Sequence, residues 1–162
     1  MLFFISGCLL FACSREEFSY PEPNVQIESL KSTVKYLSAI KPSRSADHPN
    51  SLKKSAEYIS RKFHEYGLKP DSQKFAVSGT QYENVIASVG PENGQRLIIG
   101  AHYDVCGDQP GADDNASGIA GLLEIARFAK VYEPRLRHRI DFVAYTLEEP
   151  PHFATTSMGS YV

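Results

Sequence analysis

The stretch Leu97-Ile98-Ile99-Gly100-Ala101-His102-Tyr103-Asp104 joins a continuous apolar run to a polar end. An apolar run of this length is typical of a strand that is buried on both faces of a sheet. A helical pattern follows at about residues 116–131, and residues 140–145 again have the composition of a buried strand. The order strand, helix, strand indicates an α/β sheet.

Upstream of this unit, the sequence predicts two amphipathic helices. Apolar residues recur at spacings of three and four over residues 27–40, and Pro42 would end that helix. A second helical pattern begins with Asn50 or Ser51 as its cap and ends at Gly67. Short β-rich segments follow before the apolar run, so we expect a sheet that is covered by helices.

Composition limits the class of protein. The chain has 162 residues, of which 42% are hydrophobic and 22% are charged, as expected for one globular domain. Its net charge is −2 and it has no long run of Lys and Arg, which argues against a nucleic-acid partner. Cys106 is the one cysteine of the predicted folded body, so no internal disulfide supports the fold.

Polar residues of metal-ligand type lie where the apolar run ends. His102 and Asp104 are two positions apart on a strand end, so their side chains face the same side. An imidazole ligand needs an acceptor for its second nitrogen, and a neighbouring carboxylate is a common one. Taken alone, however, the tripeptide is better explained as an ordinary polar strand end.

Two further acidic pairs follow later predicted elements. Asp113 and Asp114 precede a helix, where one carboxylate would cap the helix and the other would be free to bind a metal. Glu148 and Glu149 follow the strand at 140–145, and adjacent side chains point in different directions. One glutamate could therefore bind a metal while its neighbour acts as a general base.

Three blocks in this order resemble the signature of metallopeptidase family twenty-eight, the co-catalytic zinc aminopeptidases with relatives among carboxypeptidases and glutaminyl cyclases. The blocks are residues 101–104, 110–118 and 146–149, and Met158-Gly159-Ser160 also matches a family segment. The resemblance covers residues 25–162. It implies an α/β fold with three α/β/α layers and a mostly parallel mixed central sheet, zinc-exopeptidase-like and incomplete at the C-terminus.

The resemblance also implies a role for each site residue. His102 would bind one zinc and Asp104 would orient it, while Asp114 would bridge two zincs and Glu149 would bind the second. Glu148 would be the general base. The implied activity is zinc-dependent exopeptidase hydrolysis of N-terminal residues from peptides, of the aminopeptidase type, with two zinc ions as the cofactor of a complete enzyme.

The family site uses a further carboxylate and a second histidine after the glutamate pair, and nothing after Glu149 matches them. His152 lies too close to the pair to match the distant histidine. The chain as given is therefore expected to be the N-terminal portion of the enzyme, with poor zinc binding and little peptidase activity. Two alternatives stay open: a glutaminyl-cyclase-like transferase with a single zinc, and a catalytically inactive surface lipoprotein remnant.

The first residues predict export. Residues 1–12 are almost wholly apolar, and the sequence turns polar at Ser14. We interpret residues 1–18 as a signal peptide or lipoprotein-type targeting segment, 19–24 as a linker and 25–162 as the peptidase domain. Cys13 resembles the acylated cysteine of a bacterial lipobox, with Cys8 or an uncleaved anchor as alternatives. These features predict a secreted, periplasmic or lipid-anchored protein of the bacterial cell envelope that acts on peptides.

Overall fold

The computed structural model describes residues 24–162, so the predicted targeting segment, Cys8, Cys13 and most of the predicted linker lie outside the described residues. This part of the chain contains three α-helices and four strands. In chain order they are α1 Ile27–Ser38, α2 Pro49–Glu65, β1 Asp71–Val77, β2 Thr80–Val89, β3 Arg96–His102, α3 Gly118–Val131 and β4 Arg139–Tyr145. Within residues 24–162, no helix has the length and apolarity needed to cross a membrane.

The helices form where the apolar periodicity predicts them. The second helix begins slightly earlier than expected, at Pro49 rather than after an Asn50 or Ser51 cap. Proline is favourable there because the first helical residue has no intrahelical N–H bond to lose. Gly67 has a φ of +78° and follows the helix, as the sequence predicts for a left-handed terminator.

The four strands form one mixed sheet in the order β1-β2-β4-β3. The α/β class and the mixed sheet are confirmed, but the expectation of mostly parallel pairing is wrong for these residues. Strands β1 and β2 are antiparallel, as are β2 and β4, and β3 pairs with β4 in parallel. The physical reason for the first pair is local: Ser78 and Gly79, both with positive φ, connect β1 to β2 in a tight hairpin.

All three helices lie on one side of the sheet. Helix α3 packs against β3 and β4, α2 packs against β2 and α3, and α1 packs against α3. Residues 24–162 therefore form two of the three expected layers, which are the sheet and the helices on one of its faces. The core between them is built from apolar side chains, among them Leu37, Ile59, Phe63, Val85, Ile119, Leu123 and Phe142.

Strand β3 is the clearest departure from expectation. Its apolar run predicts burial on both faces, yet Leu97 and Ile98 are 52% and 58% exposed. The strand lies at the edge of the sheet and pairs with β4 alone among the described strands, and no described helix covers its second face. Within residues 24–162, the outer edge of this apolar strand and one of its faces are therefore exposed to solvent.

Asn84 on β2 ties the sheet to the segment that follows β4. Its fully buried side chain donates from Nδ2 to Gln73 Oε1 and to the Gly159 carbonyl, each at 2.8 Å. Its Oδ1 accepts the Thr146 N–H at 3.2 Å. The amide therefore satisfies a buried backbone donor and a backbone acceptor on two segments beyond β4.

Replacing this amide is expected to destabilise the fold. Asn84→Ala would leave the buried Thr146 N–H without a partner and the Gly159 carbonyl with the Val162 N–H alone, at 3.3 Å, which costs about 1–3 kcal/mol of unfolding free energy. Urea unfolding followed by circular dichroism measures the change. Gln73→Ala is the matched control, because it removes one side-chain acceptor from the same amide and should cost below about 1 kcal/mol. Equal losses in the two variants would contradict this role for Asn84.

Candidate metal centre

The topology brings three polar clusters together at the C-terminal ends of β3 and β4. They are the His102 strand end, the Asp113-Asp114 pair and the Glu148-Glu149 pair. Strands β3 and β4 are parallel neighbours with His102 opposite Tyr145, so both strands end at the same edge. His102 closes β3, and the glutamate pair follows β4 within a few residues. Asp114 lies in the segment that leads into α3, which packs on these two strands. The clusters therefore meet although 47 positions separate His102 from Glu149 in the sequence.

His102, Asp114 and Glu149 form a triad of potential metal ligands. One donor atom from each side chain lies within 4.8 Å of the others, and His102 Nε2 is 3.0 Å from Asp114 Oδ1. Donors around a tetrahedral zinc at 2.0–2.2 Å lie roughly 3.3 Å apart, so small side-chain shifts would suffice. The Asp114 side chain is 74% exposed, which leaves the triad open to solvent on its side. Nitrogen and carboxylate donors of this kind suit zinc.

Asp104 lies beneath the triad and is almost fully buried. Its Oδ2 accepts the Glu149 backbone N–H at 3.1 Å, and its Oδ1 is 3.4 Å from His102 Nδ1. That last pair is close enough to interact electrostatically, but its geometry is not that of a hydrogen bond, and both atoms are buried without a partner. A slight rotation of the imidazole would let His102 Nδ1 donate a hydrogen bond to Asp104 Oδ1. A carboxylate in this position orients the imidazole of a histidine that binds a metal.

The electrostatics of the cluster favour a cation. Burial acts to lower the pKa of His102, but the Asp104 carboxylate and the charges of Asp114 and Glu149 outweigh it, so the pKa is raised. The pKa of Glu149 is also raised, first by burial and then by the nearby Asp114 carboxylate, with His102 acting in the opposite direction. Carboxylates that raise one another's proton affinity are stabilised when a metal ion neutralises them.

Glu148 lies outside the triad and has a different partner. Its Oε1 accepts the Ser160 backbone N–H at 2.7 Å, and its Oε2 accepts the Ser160 hydroxyl at 2.7 Å. The two adjacent glutamates therefore differ in their contacts, as the sequence suggests for a pair that divides its tasks. Ser160 directly follows Gly159, whose carbonyl accepts a hydrogen bond from the buried side-chain amide of Asn84. Asn84 therefore also helps to fix the segment that carries Ser160.

Comparison with known proteins agrees with this geometry. Residues 84–160, which contain all five predicted site residues, match the profile of Peptidase family M28. This part of the chain belongs to peptidase family M28. This assignment points to a peptidase-type hydrolase or a related cyclase.

Individual relatives match more of the chain than the family profile does. The uncharacterized protein YfbL of Escherichia coli (strain K12) is 46% identical over 143 residues, which are 83% of this chain and 44% of YfbL. A Zn-dependent exopeptidase from Parabacteroides distasonis is 29% identical with a TM-score of 0.63, over 82% of this chain and 51% of that structure.

Two solved structures from Bacteroides thetaiotaomicron match equally well. They are a leucine aminopeptidase precursor and a glutaminyl cyclase, each 27% identical with a TM-score of 0.65 over 78% of this chain. The match covers 49% of the aminopeptidase chain and 48% of the cyclase chain. The chain therefore spans about half the length of these M28-like structures.

Several residues of metal-ligand type stay outside the triad. Asn115 caps α3, since its Oδ1 accepts the Gly118 N–H at 2.9 Å, while Asp113 is exposed and not part of the triad. His152 and the exposed thiol Cys106 are likewise not part of it. Among residues 24–162, the triad is the one group of three or more such side chains with converging donor atoms.

Sequence reasoning missed Arg44. Residues 43–49 are mostly polar, a composition that favours a solvated connection between two helices, yet Arg44 is 1% exposed. Its guanidinium donates hydrogen bonds to the carbonyls of Leu37, Tyr103, Pro110 and Gly111. No local signal distinguishes this residue from a solvated loop arginine, because all of its partners are backbone carbonyls and three are distant in sequence.

Proposed function

We propose that the protein is a zinc-dependent exopeptidase of the aminopeptidase type, which releases N-terminal residues from peptides. The observation that carries this proposal is the convergence of His102, Asp114 and Glu149 beside a separately held Glu148. Membership of M28 supports it, as do structural relatives described as a leucine aminopeptidase precursor and a Zn-dependent exopeptidase.

In this proposal each side chain of the triad has a binding role. His102 would hold one zinc through Nε2 with Asp104 orienting the imidazole, Asp114 would be shared between two zincs, and Glu149 would hold the second. When bound, the metal supplies polarisation of the scissile carbonyl and a lowered pKa of the attacking water. The exposed side of Asp114 gives the substrate its approach to these groups.

Glu148 performs the proton transfers. Its carboxylate accepts the proton from the attacking water and delivers it to the amine that leaves. Each carboxylate oxygen has two lone pairs, so one hydrogen bond from Ser160 on each oxygen leaves capacity for the water proton. The two bonds to Ser160 also restrict the rotation of the carboxylate, which keeps it at a fixed distance from its neighbour Glu149.

Turnover of a simple substrate tests the proposal. The full-length protein, stripped of metal and then titrated with Zn²⁺, should release the chromophore from leucine p-nitroanilide only after zinc is added. An N-acetylated leucine p-nitroanilide is the matched control and should stay intact, because an aminopeptidase requires a free amino group. Zinc binding without any turnover would reject the enzyme and favour a protein that only binds.

A glutaminyl cyclase is the second candidate function, and a specific observation favours it. The cyclase from Bacteroides thetaiotaomicron matches with the same TM-score as the aminopeptidase precursor, and three converging ligands are enough for one catalytic zinc. A peptide with an N-terminal glutamine separates the two activities by mass spectrometry. Loss of ammonia from the intact peptide would identify a cyclase, whereas loss of the glutamine residue would identify an aminopeptidase.

The proposal extends to the location of the protein. We propose that residues 1–18 direct export and that a lipid on Cys13 attaches the mature protein to the bacterial cell envelope, where its partners are peptides rather than nucleic acids. Mass spectrometry of the protein from membranes should find Cys13 as an acylated N-terminus. An unmodified Cys13 inside an uncleaved chain would contradict lipid attachment.

A further inference from the structure

We propose that Arg44 is a positioning residue of the metal centre, which fixes the segment carrying Asp114 at the correct distance from the strand end carrying His102. This inference rests on the proposed function, because it concerns the affinity of the same site for zinc. Arg44 lies in the connection between α1 and α2, well before residues 84–160, which match the M28 profile.

The contacts of Arg44 join the segments that carry the ligands. Its Nε donates to the carbonyl of Tyr103 at 2.8 Å, and Tyr103 lies between His102 and Asp104. Its Nη1 donates to the Pro110 carbonyl at 2.6 Å, and its Nη2 donates to the Gly111 carbonyl, where the segment that carries Asp114 begins. One rigid guanidinium thus spans both sides of the triad.

A second set of contacts anchors the guanidinium itself. Nη1 also donates to the Leu37 carbonyl at 3.0 Å, near the C-terminal end of α1. The Arg44 backbone carbonyl accepts the Val105 N–H at 3.1 Å. The Gly111 carbonyl, besides its bond from Arg44, accepts the Ala116 N–H at 3.1 Å just before α3. The guanidinium is therefore held by α1 and in turn holds the two ends of the loop between β3 and α3.

The packing around Gly111 shows how closely this loop fits the guanidinium. Gly111 has a φ of +54°, and a Cβ added there would lie 2.8 Å from Arg44 Nη2 and would clash with Val105 and the Asp114 carbonyl. The loop approaches Arg44 so closely that only glycine is accommodated. A shorter side chain at position 44 would leave the loop without its supporting surface.

The charge of Arg44 also relates this residue to the metal centre. No carboxylate lies within salt-bridge distance of it among the described residues, although a buried cation costs several kcal/mol unless it is compensated. Burial lowers the pKa of Arg44 to about 10, while the charges of Asp104 and Asp114 act to raise it. The metal-site carboxylates are therefore the anions that this cation faces, at longer range.

The consequence is a predicted dependence of zinc affinity on Arg44. If the loop moves relative to β3, the ligand geometry is present for only a fraction of the time, and the apparent affinity falls by that fraction. Replacing groups that orient metal ligands typically weakens metal binding by about 10–100-fold. Arg44→Met removes the four hydrogen bonds, while Arg44→Lys keeps the charge but lacks the rigid fork of donors.

Zinc affinity and ligand geometry are measured on the full chain by chelator competition and by the visible spectrum of the Co²⁺-substituted protein. We expect both Arg44 variants to bind zinc at least about tenfold more weakly, and to show an altered Co²⁺ spectrum at saturation. Ile59→Ala is the matched control, since Ile59 is a fully buried core residue on α2 and is not part of the triad. It should lower stability and leave both metal readouts unchanged.

Each outcome has a distinct meaning. Arg44 variants that bind zinc with wild-type affinity and an unchanged Co²⁺ spectrum would overturn the inference. If Arg44→Met does not fold, Arg44→Lys decides the question, because it keeps the charge and most of the packing volume. If the unaltered chain binds no zinc at all, the proposed metal centre fails and this inference fails with it.

Discussion

Glu148→Gln is expected to lower kcat for aminopeptidase turnover by about 10²–10⁴-fold, the range that a positioned general base contributes. An amide has no significant basicity at neutral pH, so it cannot accept the proton of the attacking water. The amide also preserves the local structure, because its Oε1 can accept the Ser160 N–H and its Nε2 can donate to the Ser160 hydroxyl. Zinc affinity should therefore stay unchanged.

This combination of lost turnover and retained zinc separates a base from a ligand. Steady-state kinetics with leucine p-nitroanilide and a zinc titration on the same preparation provide the two readouts. Glu57→Gln is the matched control, since Glu57 is an exposed glutamate on α2, and its kinetics should equal those of the unaltered protein. Loss of zinc from Glu148→Gln would show that Glu148 is a ligand and would contradict its assignment as the base.

Asp114→Asn is expected to weaken zinc binding by at least about 100-fold, because the site loses an anionic donor that two ions would share. At a zinc concentration of 1,000 times Kd, bound zinc stabilises the unaltered protein by about 4 kcal/mol, and a 100-fold weaker Kd leaves about 1.4 kcal/mol. Without zinc the stability should change by less than about 1 kcal/mol, since the exposed Asp114 charge repels Glu149 but attracts His102, and the variant loses both effects.

Thermal unfolding with and without zinc measures both effects. The neighbouring Asp113→Asn is the matched control: Asp113 is exposed and outside the triad, so this variant should keep the full thermal shift on zinc addition. If Asp113→Asn loses the shift and Asp114→Asn keeps it, the metal has been assigned to the wrong aspartate. If both keep it, the loop does not supply a ligand.

The sequence could predict the strand-helix-strand unit because this unit depends on local patterns, whereas the roles of the site residues rested on the family resemblance. The apolar runs at β3 and β4 and the helical period of α3 are each contained in a short window. Parallel pairing of β3 with β4 then places their ends together. In the structure this pairing brings His102 and Glu149 together despite their separation in the chain.

Other features depend on contacts that no local pattern encodes. The apolar run of β3 predicts burial, but exposure is decided by whether another strand and another layer cover it, and Ile98 is open in the described residues. Pro49 starts α2 in place of a polar cap because its fixed φ already suits the first helical turn.

The residues that support the site were hardest to predict. Arg44 and Asn84 bind mainly backbone groups, which every residue possesses, so their partners leave no signature in side-chain identity. Ser160 matches a family segment, but its two bonds to Glu148 become visible only when the segment after β4 folds back.

The most direct test of the metal centre is anomalous diffraction at the zinc absorption edge, on crystals of the full chain grown with Zn²⁺. We expect an anomalous peak within about 2.2 Å of His102 Nε2 or of a Glu149 carboxylate oxygen, with Asp114 coordinated to it. A second peak on the opposite side of Asp114 would identify the bridging role. A chain with zinc bound elsewhere, or with no peak at the triad, would contradict the assignment of these three residues as ligands.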